Sequence, residues 1–438
     1  MTGGNGAPVR FDRDLSGFLA PWDKGVPGGQ GPIALPDVAA QGWNLLREDL
    51  PLPVAVLDGD SLAQNSRWMR TFAAEHGVAL APHGKTTLAP ALFDLQMEDG
   101  AWGITVSTPH QIAVAVAAGH RRIFVANQII GRSGIAYVLD QLDRDPALEI
   151  YSLVDSIELV QHIAAVAETR AGRRRLPVLV EMGFEGGRTG CRTLDQGLAV
   201  ARAVAASPHL DLAGVEGFEG IIRKADLAST LAAVQAFLAD VVALAEACDE
   251  ERLFGRETIL LSAGGSGFFD LVVTAFAATK LRSSKTTLLR SGCYITHDSG
   301  LYTFLFALLR MRAPALLAEQ EPTPALRIWA YVQSRPEPGQ GIVTMGKRDV
   351  GFDEMPKPEL WYRPGSEMQG PQTLSPDHQI TALNDQHGFL DLPRNSPLQV
   401  GDMVAFGISH PCLTFDKWRV LHVINSTFDV LGSIRTYF

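Results

Sequence analysis

Val78-Ala79-Leu80-Ala81-Pro82-His83-Gly84-Lys85-Thr86-Thr87 is a short apolar run that ends in a lysine and leads into a helix-like segment. A lysine held at the C-terminal end of a buried strand is hard to keep charged, because desolvation favours its neutral, nucleophilic amine. That is the form that Schiff-base chemistry needs. On these residues alone, a surface lysine on a loop after a Pro-Gly turn reads as well, so the setting of the motif has to decide.

Outward from this stretch, short β-rich runs alternate with Ala-rich segments of helical spacing from about residue 50 to 295. The runs are Val54–Asp58, Val78–Pro82, Trp102–Val106, Arg122–Asn127, Glu149–Val154, Pro177–Met182, Leu210–Gly217, Thr258–Ala263 and Thr286–Tyr294. Segments such as Thr108–Ala118, Ser156–Thr169, Leu194–Ala206 and Leu227–Ala247 carry apolar residues at helical spacing. Repeated βα units predict a parallel sheet covered by helices. A span of roughly 250 residues suits a TIM-type (β/α)8 barrel, with a doubly wound sheet as the alternative. The runs are one more than such a barrel uses. Val54–Asp58, followed by Asp60 as a helix cap, is the one that could belong elsewhere.

After residue 310 proline and glycine become dense and strand-like runs dominate: Ala325–Gln333, Gly341–Met345, Gln379–Leu383, Met403–Ile408 and Arg419–Ile424. This texture predicts a separate, antiparallel β domain. The expected organisation is an N-terminal segment over 1–50 packing on the β domain, a barrel over 51–310, and the β domain over 311–438.

The bulk composition agrees with two globular domains: 438 residues, 46% hydrophobic and 20% charged. The net charge is −10, and Arg173-Arg174-Arg175, the one basic cluster, reads as a solvated loop, so nucleic acid is not an expected partner. Cys191, Cys248, Cys293 and Cys412 lie far apart with no CxxC pair, as reduced intracellular thiols do. The N-terminal stretch lacks a signal-peptide core. No apolar run is read as approaching the ~20 residues of a membrane span, the longest candidate being Leu301–Leu309. A cytoplasmic protein without a membrane partner is expected.

Catalytic groups of a barrel sit at the C-terminal ends of its strands. Lys85 is one candidate. Glu181-Met182-Gly183-Phe184-Glu185-Gly186-Gly187-Arg188-Thr189-Gly190 is another, its glycines turning the chain to bring Arg188 back over the strand mouths. Leu261-Ser262-Ala263-Gly264-Gly265-Ser266-Gly267 follows a late strand, where exposed backbone N–H groups suit a phosphate. An ordinary glycine turn would look the same. In the C-terminal domain, His410-Pro411-Cys412 puts an imidazole and a thiol on one face of an extended chain. That pair suits zinc, and the thiolate disfavours magnesium or manganese. Only two ligands are local, so others must come from elsewhere, from water or from substrate; a buried cysteine beside a solvated histidine is the alternative. His387, in Asn384-Asp385-Gln386-His387-Gly388, is a further candidate for the metal's neighbourhood or a simple turn histidine.

In combination and in this order, the motifs resemble those of the D-serine dehydratase and D-threonine aldolase-like family, fold-type III pyridoxal-phosphate enzymes related to alanine racemase. The resemblance runs from about Leu52 to the C-terminus. Pro82-His83-Gly84-Lys85-Thr86 is similar to the family's Pro-His-x-Lys-Thr segment, whose lysine holds the cofactor. Glu181 to Gly190 resembles its strand-and-Arg-x-Gly segment, Gly214-Val215-Glu216-Gly217-Phe218-Glu219-Gly220 its cofactor-facing strand, and Ser262-Ala263-Gly264-Gly265-Ser266 its phosphate loop. Arg290-Ser291-Gly292-Cys293-Tyr294 resembles its Arg-x-Gly-x-Tyr element, and Asp385-Gln386-His387-Gly388 and His410-Pro411-Cys412 its metal-site elements. Three features depart from the family: Ala81 where an arginine is common, Thr87 where a histidine is common, and the Met345–Asp353 segment. They bear on substrate identity more than on cofactor or fold, and suggest an amino-acid deaminase subgroup.

The resemblance implies pyridoxal 5'-phosphate held by Lys85, with His83, Arg188, Gly264, Gly265, Ser266 and Tyr294 around it, and Zn2+ on His410 and Cys412. It implies a lyase that removes water and ammonia from a D-β-hydroxy amino acid to give a 2-oxo acid, with Lys85 as cofactor anchor and Cα base. A D-threonine-type aldolase is the alternative, ahead of a racemase or a non-catalytic pyridoxal-phosphate-binding protein. In the relatives, active sites form at a subunit interface, so a homodimer is expected.

Overall fold

The computed structural model describes residues 15, 17–29, 31–170, 172, 174–317 and 320–438. Arg173 and most of the first fifteen residues lie outside the described residues. The chain divides into two compact units.

One unit, Arg70–Lys85 with Gly100–Gly292, is an eight-stranded parallel barrel. Its strands are β1 (Ala79–Leu80), β2 (Ile104–Val106), β3 (Arg122–Val125), β4 (Glu149–Val154), β5 (Leu176–Met182), β6 (Leu210–Gly217), β7 (Thr258–Ala263) and β8 (Ser284–Leu289). They pair in parallel in the order β1-β8-β7-β6-β5-β4-β3-β2. A parallel bridge between His83 and Thr105 closes the ring, with the Thr105 N–H donating to the Pro82 carbonyl at 2.9 Å.

The strand-to-helix turns repeat one device. Thr108, Ser156, Thr193 and Asp226 each accept the backbone N–H three residues on with their side chains, capping the helices that start at Pro109, Ile157, Leu194 and Leu227. Each such cap is worth about 1 kcal/mol. Phe124, Tyr151, Leu153, Leu179, Leu260 and Leu288 fill the barrel interior, and the small Ala81 and Ala213 make room for the aromatics.

The helix Leu227–Glu250 is a difference from the sequence expectation. Its 24 residues and mean hydropathy of 1.8 make it long and apolar enough to cross a membrane. In this unit one face of it is buried, through Val234, Phe237, Leu238, Val241 and Leu244, which is about a third of its apolar window.

The other unit collects residues up to Met69, Thr86–Asp99 and everything from Cys293 onward. At its centre Leu326–Glu337 pairs antiparallel with Met403–Gly407, Gln340–Val343 and Val54–Asp58. Val54–Asp58, the surplus run, is thus a strand of this sheet. It also runs parallel to Val420–Ile424, so the sheet is not purely antiparallel. A parallel pair needs a long connection, and here most of the chain supplies it. Leu19, Ile33, Leu35, Trp43 and Leu45 from the N-terminal segment share a core with Val54, Trp329, Met403 and Val420.

Candidate active site

Lys85 lies in the 3-10 turn Gly84–Thr86, just past β1. It is half-buried, and no described residue hydrogen-bonds its amine. Gly292 decides how closely the chain after β8 can approach this turn. A Cβ there would fall 2.5 Å from the His83 carbonyl oxygen and 2.8 Å from its Cβ. With glycine, the backbone packs directly on His83. The His83 imidazole sits with its Nε2 3.4 Å from Ser107 Oγ. Burial, then the Lys85 and Arg290 cations, hold its pKa well below the ordinary histidine value, so it is a neutral ring.

Arg290 follows β8. Its Nη2 donates to Glu216 Oε2 at 2.6 Å and to the Gly217 carbonyl at 2.8 Å, and its guanidinium lies 5.3 Å from the Phe124 ring centre. Burial pushes the Glu216 carboxyl up to about 8, outweighing the attraction of Arg290. At the end of β5, Glu181 accepts from Thr189 Oγ1 at 2.8 Å and from Gln128 Nε2, and burial raises its pKa as well.

The glycine loop after β7 holds a surprise. The Gly264 and Gly265 N–H groups, expected to face a phosphate, donate to the two carboxylate oxygens of fully buried Glu219 at 3.1 and 3.0 Å. The acceptor on these amides is the chain's own carboxyl group. A Cβ at Gly265 would sit 2.7 Å from Phe218 Cε2, so any larger residue there would have to push that ring aside. Arg188, exposed, lays its guanidinium 5.0 Å from that Phe218 ring centre, and half-buried Ser266 follows the two glycines. Among the sequence-predicted residues, this unit contains Lys85, His83, Arg188, Gly264, Gly265 and Ser266.

Among the described residues of the barrel, His83 Nδ1, Arg290 Nε and Gln128 Oε1 at the ends of its strands are buried without a hydrogen-bond partner, as is Arg170 Nε just past the outer helix Ile157–Glu168. Buried polar groups are nearly always paired, so such orphans call for a guest. A compact polar cofactor that brings both donors and acceptors, reached by a free lysine amine and flanked by arginines, fits this set. Gln128 is not among the expected site residues, and Glu216, Glu219 and Arg290 enter only within family-like segments, with no role of their own. The legible signals were a glutamate inside the apolar run Leu210–Gly217 and an arginine at a strand end. A cavity of about 680 Å³ lined by His76, Trp102, Arg122 and Lys285 opens at the other end of the barrel, where the strands begin.

Tyr294, His410 and Cys412 belong to the other unit. Tyr294 is buried in the turn Cys293–Ile295, its hydroxyl accepting from Gln96 Nε2 at 3.2 Å. His410 Nδ1 lies 2.6 Å from Asp353 Oδ2. Cys412 Sγ is 3.4 Å from Thr86 Oγ1 and 3.7 Å from Cys293 Sγ. The Cys293 thiol and then His410 hold Cys412 well below the usual thiol value, and Cys412 and then Asp353 push His410 up to about 9. His387, by contrast, is exposed in the turn between the strands Gln379–Leu383 and Gly388–Asp391, its carbonyl accepting from the Asn384 N–H at 2.9 Å, and is a turn histidine.

Among the described residues no three His, Cys, Asp or Glu side chains are arranged to hold a metal ion. His410 and Cys412 fit an open site with two protein ligands. Asp353 on Nδ1 leaves Nε2 as the donor, the orientation that outer carboxylates give to ligating histidines.

Residues 57–269 match the family model described as "Alanine racemase, N-terminal domain", and residues 325–424 match the "Putative serine dehydratase domain". The chain is 26% identical over 396 residues to the D-threonine aldolase of Arthrobacter sp, covering 90% of this chain and 93% of that protein. It is 28% identical over 401 residues to the D-threo-3-hydroxyaspartate dehydratase of Delftia sp. strain HT23, covering 89% and 97%. The crystal structure of D-threonine aldolase from Filomicrobium marinum superposes with a TM-score of 0.74 at 23% identity, over 90% of this chain and 97% of that one. These likenesses fix the fold: an alanine racemase-like barrel with a separate β-sheet domain.

Proposed function

We infer, for a chain that belongs to the D-serine dehydratase and D-threonine aldolase-like family of alanine racemase-type barrels, that it is a pyridoxal-phosphate-dependent lyase acting on a D-β-hydroxy amino acid by loss of water and ammonia. The observation that carries this reading is the Lys85 amine at the end of β1, without a hydrogen-bond partner among the described residues, in a barrel that also holds the orphaned His83 Nδ1 and Arg290 Nε. The curated relatives, an aldolase and a dehydratase, support the substrate class.

Pyridoxal phosphate, when bound, supplies an electron sink for charge that develops at the substrate's Cα. Lys85 would hold the cofactor through its amine, and the same amine, when free, would take the Cα proton as general base. His83 stays neutral and adds no charge near that amine. With Gly264 and Gly265 engaged by Glu219, Ser266 would be the loop residue left to hold a phosphate, and Arg188 would supply the counter-charge. Glu219 then acts as the brace that fixes the loop. Arg290, held by Glu216 and the Gly217 carbonyl, has its Nε left over and would offer it to the cofactor. A divalent metal, zinc by the softness of the thiolate, would be held by His410 and Cys412 and would act as a Lewis acid on the β-hydroxyl. Loss of that hydroxyl leaves an enamine that hydrolyses to a 2-oxo acid and ammonia. Tyr294 and a homodimeric state belong to the same reading, and light scattering at working concentration tests the latter.

The second reading is a retro-aldol cleavage of Cα–Cβ, favoured by the likeness to D-threonine aldolase over nine-tenths of the chain. A panel of D- and L-β-hydroxy amino acids separates the two. Pyruvate and ammonia from D-serine support the dehydratase; glycine and an aldehyde from D-threonine support the aldolase. The panel run with and without a chelator tests the metal. No turnover of any panel member at full pyridoxal-phosphate occupancy overturns both.

A further inference from the structure

We propose that Cys293 and Cys412 are a thiol pair that peroxide-class oxidants close into a reversible disulfide, and that this closure withdraws Cys412 from the metal. The second half rests on the reading of His410 and Cys412 as metal ligands; the first does not.

The two sulfurs lie 3.7 Å apart, already in contact, and a disulfide needs them at about 2.05 Å. Each sits where a small shift is cheap. Cys293 opens the three-residue turn Cys293–Ile295, and Cys412 opens the four-residue helix Cys412–Phe415. Neither belongs to a strand whose ladder would have to break. Both are half-buried, whereas Cys191 and Cys248 are buried. Thr86 Oγ1 lies 3.5 Å from one sulfur and 3.4 Å from the other, a hydroxyl that can hydrogen-bond either one. Cys191 Sγ instead donates to the Asp155 carbonyl at 3.3 Å, with no second thiol beside it.

The chemistry closes without a further reagent. The Cys412 sulfur attacks hydrogen peroxide, breaking the O–O bond; one oxygen stays on sulfur as a sulfenic acid, and the other takes the thiol proton and leaves as water. The Cys293 thiol then attacks that sulfur, the S–O bond breaks, and a second water leaves. Two thiols give up two electrons and two protons, and one peroxide becomes two waters. A sulfur bound to a metal has its lone pair engaged, so metal and disulfide exclude each other. Dithiol reductants reverse the step by thiol–disulfide exchange.

The test uses the full-length protein, chelator-treated or zinc-loaded, exposed to hydrogen peroxide, alkylated and mapped without reduction. The chelated protein should lose two of its four thiols, yield one linked peptide pair joining Cys293 to Cys412, and recover both thiols in dithiothreitol. Zinc should slow the loss severalfold. Cys293→Ser should give no linked peptide and should oxidise Cys412 to a sulfinic acid that dithiothreitol does not reverse. Wild-type protein in which Cys412 is over-oxidised while Cys293 stays free, or in which either pairs with Cys191 or Cys248, overturns the disulfide. Equal rates with and without bound zinc overturn the competition. Absence of zinc binding by equilibrium dialysis sinks the metal reading instead, and the peptide map still decides the disulfide.

Discussion

Replacing Glu216 with glutamine removes an ionisable group and almost no volume. Glu216 is 1% exposed, and burial pushes its carboxyl from 4.5 up to about 8 despite Arg290 at 2.6 Å. A raised acid means that the folded protein keeps a proton that the unfolded chain releases. The stabilisation is therefore full below about pH 4.5 and is lost as pH rises through about 8. The loss reaches at most about 1.4 kcal/mol per pH unit in that window. For domains of about 150–250 residues this is roughly 3–6 °C of Tm per pH unit. Glu216→Gln cannot ionise and lacks the slope. Scanning calorimetry of both proteins, in one cofactor state and at matched ionic strength, should show the variant gaining on the wild type steadily from about pH 5 to 8. Parallel Tm curves would mean that Arg290 keeps the carboxylate ionised throughout, and the argument that burial outweighs the ion pair would be refuted.

Lys85→Ala should cut turnover by about 10²–10⁴-fold or more and leave the cofactor removable by dialysis, read from its visible absorption after gel filtration; retained, covalently held cofactor would show another anchor. Gly292→Ala should destabilise by about 1–3 kcal/mol in urea unfolding, because its Cβ would fall 2.5 Å from the His83 carbonyl oxygen, a backbone atom that cannot swing away; an unchanged midpoint would count against that close approach. His422 is fully buried between the Gly25 carbonyl and Ser433 Oγ, and burial lowers it to about 4. Its contribution is present above about pH 6.5 and lost as pH falls toward 4, so His422→Gln should flatten the acid limb of the Tm curve.

The barrel was legible where its strands are buried on both faces. Glu149–Val154, Leu210–Gly217 and Thr258–Ala263 read as β-rich, mostly apolar runs and are strands over those same residues. The first and last strands were less legible. Only Ala79–Leu80 of the first run is regular strand; Ala81 and Pro82 keep single backbone hydrogen bonds to Leu289 and Thr105 as the chain turns toward His83 and Lys85. The last strand starts at Ser284, where Lys285 and the threonines mask it, and ends before Arg290. In the β domain, Lys357–Tyr362 opens on Lys-Pro and Val430–Arg435 carries a glycine, which hid both. The site followed the same rule. Motifs contiguous in sequence were visible, such as the lysine turn and the His-x-Cys pair. Contacts across long separations were not: Glu219 reaches Gly264 across 45 positions, and Cys293 meets Cys412 across 119.

The strand Val54–Asp58 has a consequence for biosynthesis. Its partners are Leu326–Glu337 on one side and Val420–Ile424 on the other. A chain emerging from the ribosome exposes this strand long before either partner exists. Val54, Ala55, Val56 and Leu57 are 0–2% exposed when paired, so until then an apolar ribbon waits with two open edges, a template for aggregation. A recombinant fragment cut just after the barrel would keep that ribbon permanently unpaired. The barrel is best expressed either within the whole chain or from a start placed beyond Asp58.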